Sequence, residues 1–395
     1  MMTHRPTLAV LALVAMGLLP VCPAGAAPPA PPIHRTSAEA CAECHPQTYR
    51  QWRSSLHAQS TPLTDPIHGA FYRKEVGDPR VAGLALRGRY PVCLQCHVPA
   101  AAIDGETRVD ADPAYQEGVT CVSCHTLTRF KGVTAPDGTL RLGMQAYERS
   151  TTHLQGPTGG GAGVEKHPFP MAANGPLLTG NGACMGCHER RNNAQGVPLC
   201  RTGDEYAAAA GAATCQSCHM PRVRGITDHA MLGGHSAAMV RRGVTLTVTA
   251  GKKGNGVAAN VSLHNRLPHG FPTGAPFRSA YLEVVAVDAL GHEVWRNYRT
   301  NPTEDPQAML ATRLVDDAGH PALPPKATRI AADTRLNPGE QRQIAYQIPA
   351  AGITEVRARL LYRLLPPDLE QQLAAVLTDA RKGPKVAAVA ITTVE

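Results

Sequence analysis

The segment Cys41-Ala-Glu-Cys44-His45 is the first of five copies of the pattern C-x-x-C-H in this 395-residue chain. The other copies end at His97, His125, His188 and His219. Ten of the twelve cysteines belong to these copies, whereas the Cys and His content predicts only about 0.015 chance matches. The repetition therefore indicates one chemistry repeated at five sites.

Each copy places two thiols one helical turn apart, directly before an imidazole. Two thiols at this spacing can add to the two vinyl groups of one haem, and the adjacent His then reaches the iron. We therefore expect five covalently bound haem c groups. The attachment residues are Cys41, Cys44, Cys93, Cys96, Cys121, Cys124, Cys184, Cys187, Cys215 and Cys218, and the proximal iron ligands are His45, His97, His125, His188 and His219.

Other uses of paired cysteines explain the pattern less well. A thioredoxin-like redox site needs one C-x-x-C on a helix and no adjacent His. Structural zinc sites combine two pairs into four ligands, and five pairs is an odd number. A disulfide framework fits an exported chain but leaves the five histidines without a role. Covalent haem accounts for every residue of the pattern.

All five copies lie in residues 36–240, which we assign to a pentahaem cytochrome c domain of short helices and irregular loops. This part is rich in Gly and Pro and has few long periodic stretches, so the haems would supply its core. The i, i+3, i+7 pattern of Tyr49, Trp52 and Leu56 predicts a helix between His45 and His57. Further helices are expected at 185–192 and 204–210. The spacing of the motifs favours two close pairs, second with third and fourth with fifth.

Residues 241–395 change to a period of two, which is typical of strands with one buried face. The clearest run alternates Val356, Ala358 and Leu360 with arginines. We expect an all-β sandwich, immunoglobulin-like, with one late helix capped by Asp368 and a last strand over 386–393.

The N-terminus has the features of a secretory signal over residues 1–26, with an apolar run at 8–19 and a small-residue cleavage site ending at Ala26. A Pro-rich linker is expected at 27–35. The protein is then exported, to the periplasm, the cell surface or the outside. No later segment is long and apolar enough for a transmembrane helix. The formal net charge is +8, but the basic residues are scattered, which argues against nucleic acid as a partner.

A haem used only for electron transfer is normally six-coordinate, so each iron would need a distal ligand. Six histidines outside the motifs lie between Thr36 and Val240 and are candidates for five positions. They are His57, His68, His153, His167, His229 and His235. His45 and His57 are joined by the predicted helix, so they cannot easily hold opposite faces of one haem. We therefore expect His57 to ligate a different haem from His45.

The segment from His264 to Gly274 stands out in the β region. Pro268, Gly270 and Pro272 favour a turn-rich connection between two strands. The alternative is that His269 or His264 reaches a haem or caps the interface between the domains. The turn is the interpretation that the sequence favours.

Four stretches carry a resemblance to a known family: Cys41 to Ala58, including the Ser-Leu-His-Ala that contains His57, then Cys93 to Pro99, Gly118 to His125, and Cys215 to Pro221. They resemble the multihaem c-type cytochromes related to the tetrahaem cytochrome of ammonia oxidisers. The resemblance covers about half the chain and implies a covalent multihaem electron-transfer domain. It also implies that His57 is an axial ligand. The fifth motif and the β domain depart from the tetrahaem member.

We therefore expect an electron carrier with closely packed, mostly bis-His haems, acting between redox protein partners whose identity the sequence does not reveal. Two alternatives remain open. One is a reductase or oxidase of a small nitrogen or sulfur compound, with one haem left five-coordinate. The other is a homo-oligomer, a subunit of a surface filament in which a His of one protomer ligates a haem of the next.

Overall fold

The computed structural model of the chain describes residues 1–2, 31–160, 164–209, 213–375, 377 and 381–394. The apolar run and cleavage site of the expected signal peptide lie outside the described residues. Residues Pro32–Glu395 form one compact unit, separate from Met1–Pro31. Among the described residues, no helix has both the length and the apolar character needed to cross a bilayer.

Short α-helices joined by irregular segments make up most of the region that carries the motifs. The helices are α1 Glu39–Ala42, α2 Pro46–Arg53, α3 Pro66–Glu75, α4 Leu94–His97, α5 Pro99–Asp104, α6 Pro113–Gln116, α7 Cys121–His125, α8 Gly175–Leu178, α9 Gly182–His188, α10 Thr202–Ala208, α11 Cys215–His219, α12 Ala237–Val240 and α13 Pro367–Gln372.

Four of these helices, α4, α7, α9 and α11, end at the histidine of a motif. The residue before the first Cys caps two of them. Thr120 and Ser123 form a capping box at the start of α7, and Thr214 accepts a hydrogen bond from the amide of Ser217 in α11. Caps satisfy amide groups that a first helical turn leaves unpaired. Four of the five motifs therefore end together with their own short helix, whereas in the first motif α1 already ends at Ala42.

The helices differ in part from those expected. The helix between His45 and His57 is present as α2, whose Trp52 is buried and donates a hydrogen bond to the carbonyl of Val119 at 2.8 Å. The helix expected at 185–192 is wrong in its bounds, because α9 ends at His188 and Glu189 is already extended. The chain then forms a hairpin, which a continuing helix would exclude.

Strands account for the rest of the ordered structure. They are β1 Leu127–Phe130, β2 Tyr147–Arg149, β3 Leu154–Gly156, β4 Met171–Ala173, β5 Arg191–Asn192, β6 Pro198–Cys200, β7 Arg222–Val223, β8 Ile226–Thr227, β9 Val244–Lys253, β10 Gly256–Asn265, β11 Ser279–Asp288, β12 Glu293–Arg296, β13 Met309–Val315, β14 Arg329–Asp333, β15 Gln341–Ile348, β16 Ile353–Arg363 and β17 Lys385–Thr393. The first eight pair in twos within the motif region, and the remainder form the β-rich region.

Two antiparallel sheets build the β-rich C-terminal region. One has the order β15-β10-β9, and the other has the order β14-β13-β11-β16-β17 with β12 paired to β11. Leu263 of the first sheet and Leu282 and Leu360 of the second are fully buried in one hydrophobic cluster. The period-two pattern reflects this packing, because alternate side chains of each strand face the shared core.

Side chains of the motif region complete this core. Ile67 of α3 and Val240 of α12 are buried in it, and Phe71 stacks on Phe277 with ring centroids 5.4 Å apart. Ile33, in the segment expected to be a linker, is also buried and packs with Val122 of the motif region. The expected late helix is shorter than predicted and starts at Pro367, with Asp368 inside its first turn rather than capping it.

Candidate haem-binding sites

Each motif histidine faces a second histidine ring in the folded chain. In four pairs the ring centroids lie 6.1 to 6.5 Å apart, and in the fifth pair they are much closer. The pairs are His45 with His167 at 6.5 Å, His188 with His57 at 6.1 Å, His125 with His229 at 6.4 Å, His219 with His269 at 6.5 Å, and His97 with His68 at 3.8 Å.

The spacing of the four wider pairs fits a metal ion held between two imidazoles. A metal–imidazole bond is about 2 Å, and a ring nitrogen lies about 1 Å from its ring centre, so two rings on one metal have centroids about 6 Å apart. His97 and His68 stand closer because both direct Nδ1 to the carbonyl of Ser60. These two rings must separate before a metal fits between them.

Hydrogen bonds fix which ring nitrogen is free to bind. Nδ1 of His125 lies 2.7 Å from the carbonyl of Gln155, and Nδ1 of His219 lies 2.6 Å from that of Leu232. A carbonyl only accepts, so Nδ1 carries the proton and Nε2 keeps its lone pair for a metal. The same arrangement holds for His68, His97, His229 and His269.

Burial keeps many of these imidazoles neutral. It lowers the pKa of His57 to about 4, with His219 adding repulsion, and the pKa of His188 to about 3. Burial likewise lowers the pKa of His68 to about 4, and its Nε2 is buried without a hydrogen-bond partner among the described residues. A neutral imidazole is the form that binds metals. The rings therefore suit axial ligation of iron.

The structure brings His57, His68, His167 and His229 next to motif histidines, but among the described residues it forms no such ring pair with His153 or His235. His153 is exposed and its Nδ1 lies 2.8 Å from the hydroxyl of Thr152. His235 is half-buried, and burial together with Arg278 and other cations lowers its pKa to about 3.

His269 faces His219, a place that the sequence assigns to a histidine of the motif region. It lies in the connection between β10 and β11, where the sequence favours a simple turn. His269 is named above only as the alternative to a turn, and the six candidate ligands all precede Val240. Its sequence signal is its position beside Gly270 and Pro272 in the connection between β10 and β11, since loops often carry ligands.

The cysteines of different motifs meet in three places. Three pairs of thiols interact: Cys41 with Cys121, Cys96 with Cys187, and Cys184 with Cys215. In each pair the contact lowers the pKa of one thiol and raises the pKa of the other. The fourth motif thus contacts both the second and the fifth. The contact of the fourth motif with the fifth agrees with the pairing expected from their spacing, and the contact of the second with the fourth was not expected.

A half-buried cation lies where the second and fourth motifs meet. The guanidinium of Arg191 donates hydrogen bonds to the carbonyls of Gly186 and Cys187, at 2.9 Å to each oxygen. It also acts electrostatically on Cys96 of the second motif and Cys187 of the fourth. No sequence pattern marks Arg191, because it follows Arg190 in a segment expected to be helical.

Close backbone packing holds His57 in place. The amide of Val119 donates to the carbonyl of His57 at 2.9 Å, and Gly118 has a φ of +71°. A Cβ on Gly118 would lie 2.3 Å from that carbonyl oxygen, so only glycine fits here. Gly118 and Val119 directly precede the third motif. The backbone of His57 is therefore hydrogen-bonded next to the third motif, while its imidazole ring faces His188 of the fourth motif.

The alternative of structural zinc can be examined directly. Zinc sites of this kind use four clustered Cys or His ligands. In the ranges that the structure describes, no three or more His, Cys, Asp or Glu side chains cluster in a way that could hold a metal ion. The arrangement is instead one of paired rings with a C-x-x-C beside each pair.

Comparisons with known proteins agree with this geometry. Residues 40–126, which include the first three motifs, match the family described as cytochrome c554 and c-prime. A penta-heme cytochrome c552 from Thermochromatium tepidum has a similar crystal structure, with a TM-score of 0.87 and 44% sequence identity over 92% of this chain and 100% of that chain. A comparison with curated proteins gives no match.

Proposed function

Because the chain belongs to the family of multihaem c-type cytochromes, we propose that it is an exported electron carrier with five covalent haem c groups, each ligated by two histidines. The observation that carries this proposal is the pairing of every motif histidine with a second histidine. The proximal ligands are those of the motifs. The distal ligands are His167 for the first haem, His68 for the second, His229 for the third, His57 for the fourth and His269 for the fifth.

Haem iron held by two imidazoles cycles between its ferrous and ferric states by one electron. The chain contributes the attachment thiols, the ligands and the hydrogen bonds at Nδ1. Those hydrogen bonds hold the ring orientation and strengthen the ligands. With both axial positions taken, small molecules are excluded from the iron. These properties favour electron transfer over substrate chemistry.

The contacts between motifs support a branched route for electrons. The first motif meets the third through Cys41 and Cys121, and Cys124 of the third acts electrostatically on Cys184 and Cys187 of the fourth. The fourth also meets the second and the fifth. We propose that the fourth haem is the branch point of the route.

For the β region we propose an immunoglobulin-like sandwich. One sheet has the order β15-β10-β9, and the other contains the neighbouring strands β11-β16-β17. These correspond to the E-B-A and C-F-G groupings of that fold. We also propose that residues 1–26 are a signal peptide, so that the exported protein begins at Ala27. N-terminal sequencing of the secreted protein tests this cleavage site.

The ligand set is tested by the absorption spectrum of the reduced, haem-loaded protein with and without carbon monoxide. CO binds only to a haem with an open axial position, so we expect no change for the natural protein. His57→Ala should open the fourth haem and produce a CO-induced change equal to about one haem in five. His153→Ala removes a histidine that faces no motif and serves as the matched control.

Two results would contradict the proposal. A CO-induced change in the natural protein would mean that one haem is open, which favours the enzyme alternative and leads to assays with nitrite, hydroxylamine and tetrathionate. An unchanged spectrum for His57→Ala would mean that His57 is not a ligand.

A further inference from the structure

The fifth site differs from the other four in the origin of its distal ligand. His57, His68, His167 and His229 lie in the motif region, whereas His269 lies in the connection between β10 and β11 of the β region. We call residues 269–274 the His269 loop. Coordination of the fifth haem therefore depends on how this loop is held against the motif region.

Glu205 of α10 binds the His269 loop directly. Its Oε2 accepts hydrogen bonds from the amide of Gly270 at 3.0 Å and from the hydroxyl of Thr273 at 2.6 Å. Gly270 immediately follows His269. One carboxylate oxygen of the motif region thus fixes the backbone next to the ligand.

Arg335 of the β region binds the other oxygen of the same carboxylate. Its Nη1 lies 2.7 Å from Oε1 of Glu205 and 3.2 Å from the carbonyl of Pro272. Asp333 accepts from Arg335 and also from Arg201 of the motif region, at 2.8 and 2.7 Å. The loop is therefore held from both sides by a network of two cations and two anions.

This network is largely shielded from water. The side chains of Glu205 and Arg335 are only 13% and 14% exposed. A Cβ on Gly270 would lie 3.0 Å from Oε2 of Glu205, so the loop packs closely on the carboxylate. Breaking one member of a buried ion pair is far more costly than breaking an exposed pair. The contact is thus suited to hold a ligand in place.

We propose that Glu205 and Arg335 are positioning residues that latch the His269 loop and so keep the fifth haem six-coordinate. The inference rests on the proposed function, in which His269 is the distal ligand of that haem. Without the carboxylate, Gly270 and Thr273 lose their shared acceptor and Arg335 loses its partner. His269 then leaves the iron for part of the time, and the fifth haem alone gains an open position.

The test compares holoprotein variants for haem content, CO binding to the reduced form and the high-spin ferric signal in electron paramagnetic resonance. The variants are His269→Ala, Glu205→Ala and Glu205→Gln, with Glu293→Ala as the control. Glu293 forms an ion pair with Arg296 in the β region, away from the loop. Thr273→Val replaces Glu205→Ala if that variant fails to accumulate, because it removes only one hydroxyl.

We expect all variants to keep five haems. His269→Ala and Glu205→Ala should each bind CO at about one haem in five and show a high-spin signal. Glu205→Gln, which keeps the oxygen acceptor, should show a smaller effect, and Glu293→Ala should match the natural protein. If Glu205→Ala, or Thr273→Val in its place, matches the natural protein while His269→Ala binds CO, the latch is wrong and the ligand assignment stands. If His269→Ala does not bind CO, the ligand assignment fails and the latch with it.

Discussion

At the scale of single residues, Arg191 lies beside the motifs of the proposed second and fourth haems. Its half-buried side chain lies between the second and fourth motifs and donates to two carbonyls of α9. A fixed positive charge disfavours the ferric state of a nearby iron more strongly than the ferrous state. Low dielectric and a short distance strengthen this effect. Arg191 should therefore raise the reduction potentials of the second and fourth haems.

Arg191→Gln removes this charge, and we expect the potentials of two of the five haems to fall by about 50 to 90 mV, equivalent to about 1 to 2 kcal/mol. Arg191→Lys should restore most of the difference. Spectroelectrochemical titration measures it. The neighbouring Arg190, which is exposed and paired with Asp204, gives the control Arg190→Gln. A uniform shift of all five haems would contradict the assignment.

Single residues also show which parts of the candidate sites the sequence can predict and which it cannot. The attachment cysteines and motif histidines follow from one pattern, because the chemistry needs those residues at that spacing. Distal ligands come from anywhere that the fold brings a histidine, so spacing does not identify them. His235 and His269 illustrate this. His235 follows the fifth motif closely in sequence, yet the ring that faces His219 is that of His269.

At the scale of secondary structure elements, a buried carboxylate joins three strands of the larger sheet. Glu283 of β11 is opposite Arg359 of β16 in the strand register. Arg359 donates to its Oε1, while Arg296 of β12 and the hydroxyl of Tyr298 donate to Oε2 at 2.6 and 2.8 Å. Burial raises the pKa of Glu283, but Tyr298, Arg359 and Arg296 together lower it below its ordinary value.

Glu283→Gln should lower the free energy of unfolding at pH 7 by about 1.5 to 3 kcal/mol, since it removes hydrogen bonds to a charged group. Because the folded-state pKa is lowered, the stabilisation is fully present above the ordinary value of 4.5 and falls as the pH drops. The difference between the two proteins should therefore shrink toward pH 3. Denaturant unfolding followed by circular dichroism, with Glu293→Gln as the exposed control, measures this. A difference independent of pH would contradict it.

Helices and strands were predicted best where the period of the buried side chains alone determines the type of secondary structure. Val244 to Thr249 and Val356 to Arg363 alternate because one face of each strand is buried, and they lie in β9 and β16. The prediction of a helix that continues to Asn192 was wrong, because helical periodicity does not reveal the hairpin that starts at Arg191. Tertiary packing ends α9 there, and a single segment carries no signal for it.

At the scale of the whole molecule, the apolar core is divided unequally. The β region has one large cluster that includes Leu282, Leu310 and Leu360, all fully buried. The motif region has several small clusters, such as the one around Trp52. A segment of this size with such small clusters cannot offset the entropy of ordering its chain. The haems must therefore supply much of the buried apolar surface of the motif region.

The chain produced without covalent haem attachment should consequently be ordered only in its β region. Limited proteolysis of that form is expected to remove the motif region and leave a resistant fragment beginning between Ser236 and Val244, because strands β9 to β17 share their own core. In the haem-loaded protein the same protease should spare the motif region. The fragment should be less stable than the intact protein, since Ile67 and Phe71 of the motif region complete its core. Equal digestion of both regions in the haem-free chain would mean that the β region also depends on the haems, through contacts such as that between His269 and His219.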